Sequence, residues 1–445
     1  MSLSSSQPSR RPPDSSLARG YTWLEVAVLL LAAPLLIIPE SFPVATAGAL
    51  LALGTVWLFS VYIRPLPSTP FNFVFLFWGL AIILSILVSA DAVETLPKAT
   101  GLILGLGAWR LVVTIATSRR AIHVILGITL LISLGFSFIG LFSLQELAKI
   151  PALAMMNPIR SNAFSSLEGL VVHPNQLAGL ITLFLPLLVS LLFAPPDELA
   201  SPRWRFVLFM ATLFTGWTML VTQSRGGWIA MAAGLFILLA LWALVLPNSR
   251  LRHALRFSIA ALTISAMLIL FWIGPDTIVE LWVNPPQDTI VGKLTTLNFR
   301  KELWPWAVTA ISEFPFTGVG LGAFRQVVFR LYPLTLPATF DVAHAHNIFL
   351  QTALDVGLPG LAIYGAILLV AAAVAWQVAR DGLAYRAISL GILAGLAAHL
   401  VYGLADALAL GSKPGLVFWL LLGLLAAMRR VTPILPIDIR PGGES

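Results

Sequence analysis

Twelve apolar runs divide the sequence, at about residues 23–39, 42–63, 71–90, 96–117, 121–144, 175–194, 204–222, 227–246, 254–274, 358–379, 385–406 and 413–428. Each is close to the ~20 residues an α-helix needs to cross a hydrocarbon core. Lipid leaves no water to satisfy backbone polar groups, so only helices and closed barrels span it, and runs this uniformly apolar select the helix. The chain is therefore predicted to be an all-α integral membrane protein of about 12 transmembrane helices. Charged residues make up 11% of it, against about a quarter in a soluble domain.

The cations between runs fix an orientation. With the N-terminus in the cytoplasm, Arg64, Arg119, Arg120, Arg203, Arg205, Arg250, Arg252, Arg256, Arg380, Arg386, Arg429 and Arg430 all fall inside. The opposite loops carry Glu40, Asp91 and Glu94 with few cations, which is the positive-inside asymmetry. Both termini are then cytoplasmic. The net charge of +7 belongs to these clusters and not to a nucleic-acid stripe, so membrane lipids, and no nucleic acid, are the expected surroundings. Residues 1–20, rich in Ser, Pro and Arg, are expected to be a disordered cytoplasmic segment, 21–430 the membrane domain and 431–445 a cytoplasmic tail. No small-residue cleavage site follows the first run, which reads as a retained span. The absence of cysteine excludes disulfides and thiol chemistry. No internal repeat is visible, which disfavours transporters built from two related halves.

The orientation leaves two long external intervals, 145–174 and 275–357. The second is predicted to be a large helical loop between spans 9 and 10. Residues 299–313 read as a helix with Lys301, Glu302, Thr309, Ser312 and Glu313 on one arc and Leu303, Trp304, Ala307 and Ile311 on the other. Arg300 falls within the apolar arc, where it must find an anion or snorkel. Further on lies Ala343-His344-Ala345-His346-Asn347. Asn347 is suited to cap a helix over 348–356, ended by Gly357 and followed by Pro359. Nine residues span roughly 13 Å, too little to cross a bilayer. The histidines thus precede a short external helix whose N-terminus favours an anion such as phosphate.

A neutral imidazole suits His346 to take a proton from a sugar hydroxyl; the plainer reading is an interfacial histidine bound to backbone. Arg225, in Thr222-Gln223-Ser224-Arg225-Gly226-Gly227, is an unusual cation at an external span end. With Arg300 it can clamp a diphosphate, or simply meet a lipid headgroup. Asp406 closes the eleventh span, where a carboxylate inside the bundle is a functional candidate. His173 and Asn175 form a polar helix start on the same face, most simply a cap. Asp355 is expected to serve its own helix, and Trp304 and Trp306 to be interfacial anchors. Two histidines two residues apart, with no Glu or Cys at helical spacing, are a weak metal site, and none is expected. Gly318, Gly320 and Gly322 precede no strand-to-helix nucleotide motif, so the energy for any transfer must arrive in the donor, with no cofactor.

This pattern resembles the O-antigen ligase and O-antigen polymerase superfamily of bacterial envelope glycosyltransferases. The likeness covers roughly residues 165–410 and rests on His173-Pro174-Asn175-Gln176-Leu177-Ala178, Ser224-Arg225-Gly226-Gly227-Trp228, Phe299-Arg300 through Trp304 with Pro315 and Gly318-Val319-Gly320, His344-Ala345-His346-Asn347 through Gly357, and Gly403-Leu404-Ala405-Asp406. It implies a GT-C-like fold in the inner membrane, an undecaprenyl diphosphate-linked glycan donor, a lipid-linked or glycan acceptor, and metal-independent inverting transfer on the periplasmic face. Arg225 and Arg300 would hold the diphosphate and His346 would be the base. His344 and Asp406 would support it, and Asn347, His173 and Asn175 would join the substrate-binding set. A ligase acting on lipid A–core is favoured over a polymerase or a protein O-oligosaccharyltransferase. Relatives described as bicarbonate carriers share the Ser224-Arg225-Gly226-Gly227-Trp228 element but typically lack the double histidine, so a small-anion carrier, like a flippase for the lipid-linked glycan, is a lesser alternative.

Overall fold

The computed structural model describes residues 15–143, 173–247, 249–284, 286, 296–335 and 342–432. Among these it is entirely helical, with fifteen α-helices. They are α1 (Ser15–Ile37), α2 (Pro43–Ile63), α3 (Asn72–Val88), α4 (Ala92–Ile115), α5 (Arg119–Ser143), α6 (Pro174–Phe193), α7 (Pro202–Val221), α8 (Arg225–Val245), α9 (Arg250–Ile273), α10 (Pro275–Val283), α11 (Thr296–Glu313), α12 (Phe324–Leu331), α13 (Ile348–Asp381), α14 (Arg386–Gly403) and α15 (Leu416–Val431). All twelve apolar runs become helices. Eleven are long and apolar enough to cross a membrane, and α3, at 17 residues, is the shorter twelfth. The chain is a multi-pass, all-α membrane protein. Helix α1 already begins at Ser15, so residues 15–20, expected within a disordered segment, are helical; 1–14 and 433–445 lie outside the described residues.

Three helices form the centre. α6 and α15 are apolar on every side and buried along most of their length, as such helices must be inside a bundle. α14 runs antiparallel to α6 and touches it backbone to backbone. A Cβ built on Gly395 would lie 2.1 Å from the Leu183 carbonyl oxygen, and one on Gly391 2.6 Å from Leu187 Cα. On its other flank, a Cβ on Gly234 of α8 would lie 2.5 Å from Ala398 Cβ. Lipid supplies no hydrophobic drive between helices, so such small-residue contacts are what hold them. Their effect is positional: the starts of α6 and α8 and the end of α14 are brought to one end of the bundle.

The described part of the interval between α9 and α13 lies at that end. It packs around a small core of its own, with Leu303, Ala307 and Ala310 of α11 against Phe324 and Val328 of α12 and against Ala345 and Leu354. Ala307 and Leu303 are the predicted inward arc. α13 breaks as expected at Gly357 (φ 73°). There the Leu358 N–H donates to the Pro315 carbonyl and the Val319 N–H to that of Leu354, tying the turn before α12 to the break. Helix polarity sends Arg64, Arg119, Arg203, Arg250, Arg386 and Arg429 to the opposite end.

Candidate functional site

Asp406, in the turn after α14, is the hub. Its Oδ1 lies 3.1 Å from His346 Nδ1 and 3.6 Å from His344 Nε2, and accepts the Ala407 N–H at 2.8 Å. Its Oδ2 accepts a hydrogen from Asn175 Nδ2 at 2.6 Å. The side chain is only 5% exposed, and a buried carboxylate persists when its lone pairs are engaged in this way. Asn175 is placed by the first turn of α6, where His173 Nδ1 accepts its N–H at 3.2 Å, and by Tyr402, whose hydroxyl donates to its carbonyl at 2.5 Å.

The hydrogen bonds assign the protons. The His346 N–H donates to His344 Nδ1 at 3.1 Å, so that nitrogen carries a lone pair and neutral His344 keeps its proton on Nε2, toward Asp406. His346 presents Nδ1 to the carboxylate, so Nδ1–H is the donor and Nε2 keeps its lone pair. Burial pushes the His344 imidazole down to about 3, with Asp406 pulling the other way and His346, Lys98 and His173 adding to the lowering. Burial alone would raise the Asp406 carboxyl. The hydrogen bond from His346, the imidazole charges and the Ala407 N–H outweigh it and hold the group below the usual carboxylate range. With His344 neutral near pH 7, the two hydrogen bonds are what count there.

The loop carrying His346 is held from both sides. Gln351 Oε1 accepts the Ala345 N–H at 2.9 Å, and Trp304 Nε1 donates to the Ala345 carbonyl at 3.0 Å. Gln351 is in turn fixed by Asp355, whose Oδ1 accepts from Gln351 Nε2 at 2.8 Å and from the Gly322 N–H at 3.0 Å. Asp355 thus serves the loop as well as its helix, and Trp304 grips the loop where an interfacial anchor was expected. Trp306 stacks on Tyr332 at 5.4 Å. The clamp matters because His346 has φ 51°, a left-handed backbone that costs a non-glycine residue about 1–3 kcal/mol. Among the described residues the other non-glycine positive φ is that of Gln223, two residues before Arg225. Phe299 meets the His346 ring edge-on at 5.3 Å.

Both arginines converge on the same turn. Arg300 donates from Nε at 3.0 Å and Nη2 at 2.6 Å to the carbonyl of Ala405, the residue before Asp406. The polar partner demanded by its place on the apolar arc thus includes a carbonyl. Arg225 opens α8 behind its cap Ser224, and Arg300 is the neighbouring charge that bears on it. A Cβ built on Gly226 would lie 3.4 Å from Ala405 Cβ, so Ala405 is wedged between the two elements. Like charges repel, and an anion set between the two guanidinium groups would relieve that. Asn347 caps α13, its Oδ1 accepting the N–H groups of Phe349 and Leu350, while its Nδ2 donates to the Leu404 carbonyl at 3.2 Å.

All eight residues singled out in the sequence therefore meet at one end of the bundle. Gln351, Trp304 as a clamp, Tyr402, Phe299 and Gln223 were missed: Trp304, Tyr402 and Phe299 act through contacts distant in sequence, and Gln351 and Gln223 through loop conformation that residue pattern does not specify. The arrangement leaves a lone pair on His346 Nε2 at the same turn that carries Arg300. It also places ligand atoms of His344, His346 and Asp406 within 4.8 Å of one another, a spacing that suits a divalent cation as well as a shared hydrogen bond. The sequence reading, which expected no metal, had Asp406 supporting His346 only through the family resemblance and did not count it among possible metal ligands.

Residues 210–365 match the family model described as O-Antigen ligase, a stretch that includes Arg225, Arg300, His344, His346 and Asn347. No curated protein matches the chain. The match, confined to residues 210–365, supports the resemblance to the O-antigen ligase and polymerase superfamily.

Proposed function

We propose that the protein is an inverting glycosyltransferase that moves a glycan from undecaprenyl diphosphate to a sugar hydroxyl, as an O-antigen ligase does to lipid A–core. The reading is carried by the hydrogen bond between His346 Nδ1 and Asp406 Oδ1, which leaves Nε2 as a base, with Arg300 bound to the carbonyl of Ala405 next to that carboxylate. The acceptor hydroxyl gives its proton to His346 Nε2 as its oxygen attacks the anomeric carbon. The bond from that carbon to the diphosphate breaks, and the leaving group departs as undecaprenyl diphosphate. Arg225 and Arg300 neutralise the charge that develops on it, and such preorganised stabilisation is the largest expected contribution to rate. The imidazolium formed at His346 is offset by Asp406, in the manner of a His–Asp pair.

The site is proposed to face the periplasm, with both termini in the cytoplasm. The crowding of arginines at the opposite end of the bundle supports this. The test uses purified protein in detergent, an undecaprenyl diphosphate-linked oligosaccharide and a lipid A–core acceptor, with product followed on a gel for wild type and His346→Ala. A core conjugate that forms with wild type and vanishes in the variant is expected. Longer lipid-linked chains with no conjugate would reassign the enzyme as a polymerase, and no product of either kind would end the transferase reading.

A further inference from the structure

A cavity of about 30 Å³ opens beside the His344–His346 loop, between α3, α4, the first turns of α13 and the turn at Gly411. A water needs about 10–15 Å³ on this measure, so the space takes two water-sized groups. Its polar lining is Trp78, Lys98, Gln351, Thr352 and Asp355. Trp78 is 3% exposed, and its Nε1–H is buried without a hydrogen-bond partner. A native structure rarely leaves such a donor unmet unless something else binds it. Lys98 and Asp355 both line the space, yet among the described residues they form no ion pair. Asp355 commits Oδ1 to Gly322 and Gln351, and Oδ2 has no partner among the described residues.

We propose that this cavity is a saccharide subsite that receives two adjacent hydroxyls of a sugar ring. The inference rests on the glycosyltransferase reading. An ammonium and a carboxylate in one small space disfavour both a free anion and a free cation, since either meets a like charge. A diol suits both, accepting from Lys98 and Trp78 and donating to Asp355. The apolar remainder of the lining, including Leu102 and Leu321, suits the C–H face of the ring. Occupancy would be sensed at the base, because Gln351 lines the cavity and holds Ala345, the neighbour of His346. Trp78 and Lys98 lie outside the matched stretch 210–365, so these elements are where the chain can add specificity of its own.

The experiment labels the tryptophan indoles of the full-length protein with 15N in detergent, without donor. The Trp78 N–H signal is identified by its loss in Trp78→Phe or, should that variant not fold, by its displacement in Lys98→Met. Deacylated lipid A–core oligosaccharide and an O-antigen repeat oligosaccharide are titrated in turn, then inorganic pyrophosphate. One of the saccharides should move the Trp78 signal saturably, with affinity about tenfold weaker in Lys98→Met, the loss expected of one charge-assisted hydrogen bond. A response to pyrophosphate alone would make the cavity an anion site, and no response to any probe would make it a water pocket; either overturns the proposal. Because the reading needs no turnover, its failure is separate from a failure of wild type to form product.

Discussion

Asp406 and His346 are 60 residues apart in the chain and 3.1 Å apart at Oδ1 and Nδ1. The carboxylate selects the tautomer in which His346 Nε2 is basic. Asp406→Asn preserves the shape, but its amide can donate to Nδ1 and so favour the tautomer protonated at Nε2. Transfer should fall by a factor on the order of 10²–10⁴, the range seen when such a partner is neutralised. Donor binding should be little changed. Initial rates and donor titration check this, and a rate within twofold of wild type would remove the pair from the mechanism.

His344 lies beside the proposed base but should not set the pH dependence of the reaction. Its imidazole is held down to about 3, so it is neutral throughout the range from pH 5 to 8. The inflection in a pH–rate profile should therefore persist in His344→Gln. The same depression has a consequence for stability. The unfolded chain takes up the proton below about 6.5 while the folded chain does not, so stability present above that pH is lost as pH falls. Thermal midpoints measured at pH 7.5 and 5.0 should drop further for wild type than for His344→Gln. Equal drops would show that His344 is not the group responsible.

Much of this was legible in the sequence, and the reason is periodicity. Twelve runs of membrane-spanning length became helices, the outlier position of Arg300 on its arc signalled a special partner, and Gly357 with Pro359 marked the break in α13. What could not be read was pairing. Nothing local to Gln351 or Trp304 says that the two grip the N–H and the carbonyl of one residue, Ala345, and the tie between Asp406 and the two histidines came from the family resemblance alone. The placing of Asp406 depends on Gly391 and Gly395 letting α14 lie against α6, and so on packing rather than on pattern.

The grip on Ala345 makes its own prediction. Trp304→Phe keeps an aromatic ring but removes the donor to the Ala345 carbonyl, and Gln351→Leu removes the acceptor of its N–H. The left-handed backbone of His346 then loses support, and the base drifts. A misplacement of about 1 Å can cost on the order of 10² in rate. Each variant should lose turnover with donor affinity retained, which separates a positioning defect from loss of the arginine clamp. Loss of donor affinity with turnover intact would place these residues at the diphosphate instead.

The cluster of His344, His346 and Asp406 also decides whether the chemistry needs a metal. Its ligand atoms lie within 4.8 Å of one another, but one nitrogen of each imidazole is already engaged without an ion, His344 Nδ1 by the His346 N–H and His346 Nδ1 by Asp406. A bound divalent cation would take both imidazoles as ligands and compete with protons for them. Transfer is therefore expected to persist after dialysis against a chelator and to be unimproved by added zinc or manganese. Elemental analysis of the purified protein is the second readout. Activity lost to the chelator, restored by one metal, and accompanied by near-stoichiometric metal that His344→Gln no longer retains would replace the base at His346 with a metal-activated acceptor.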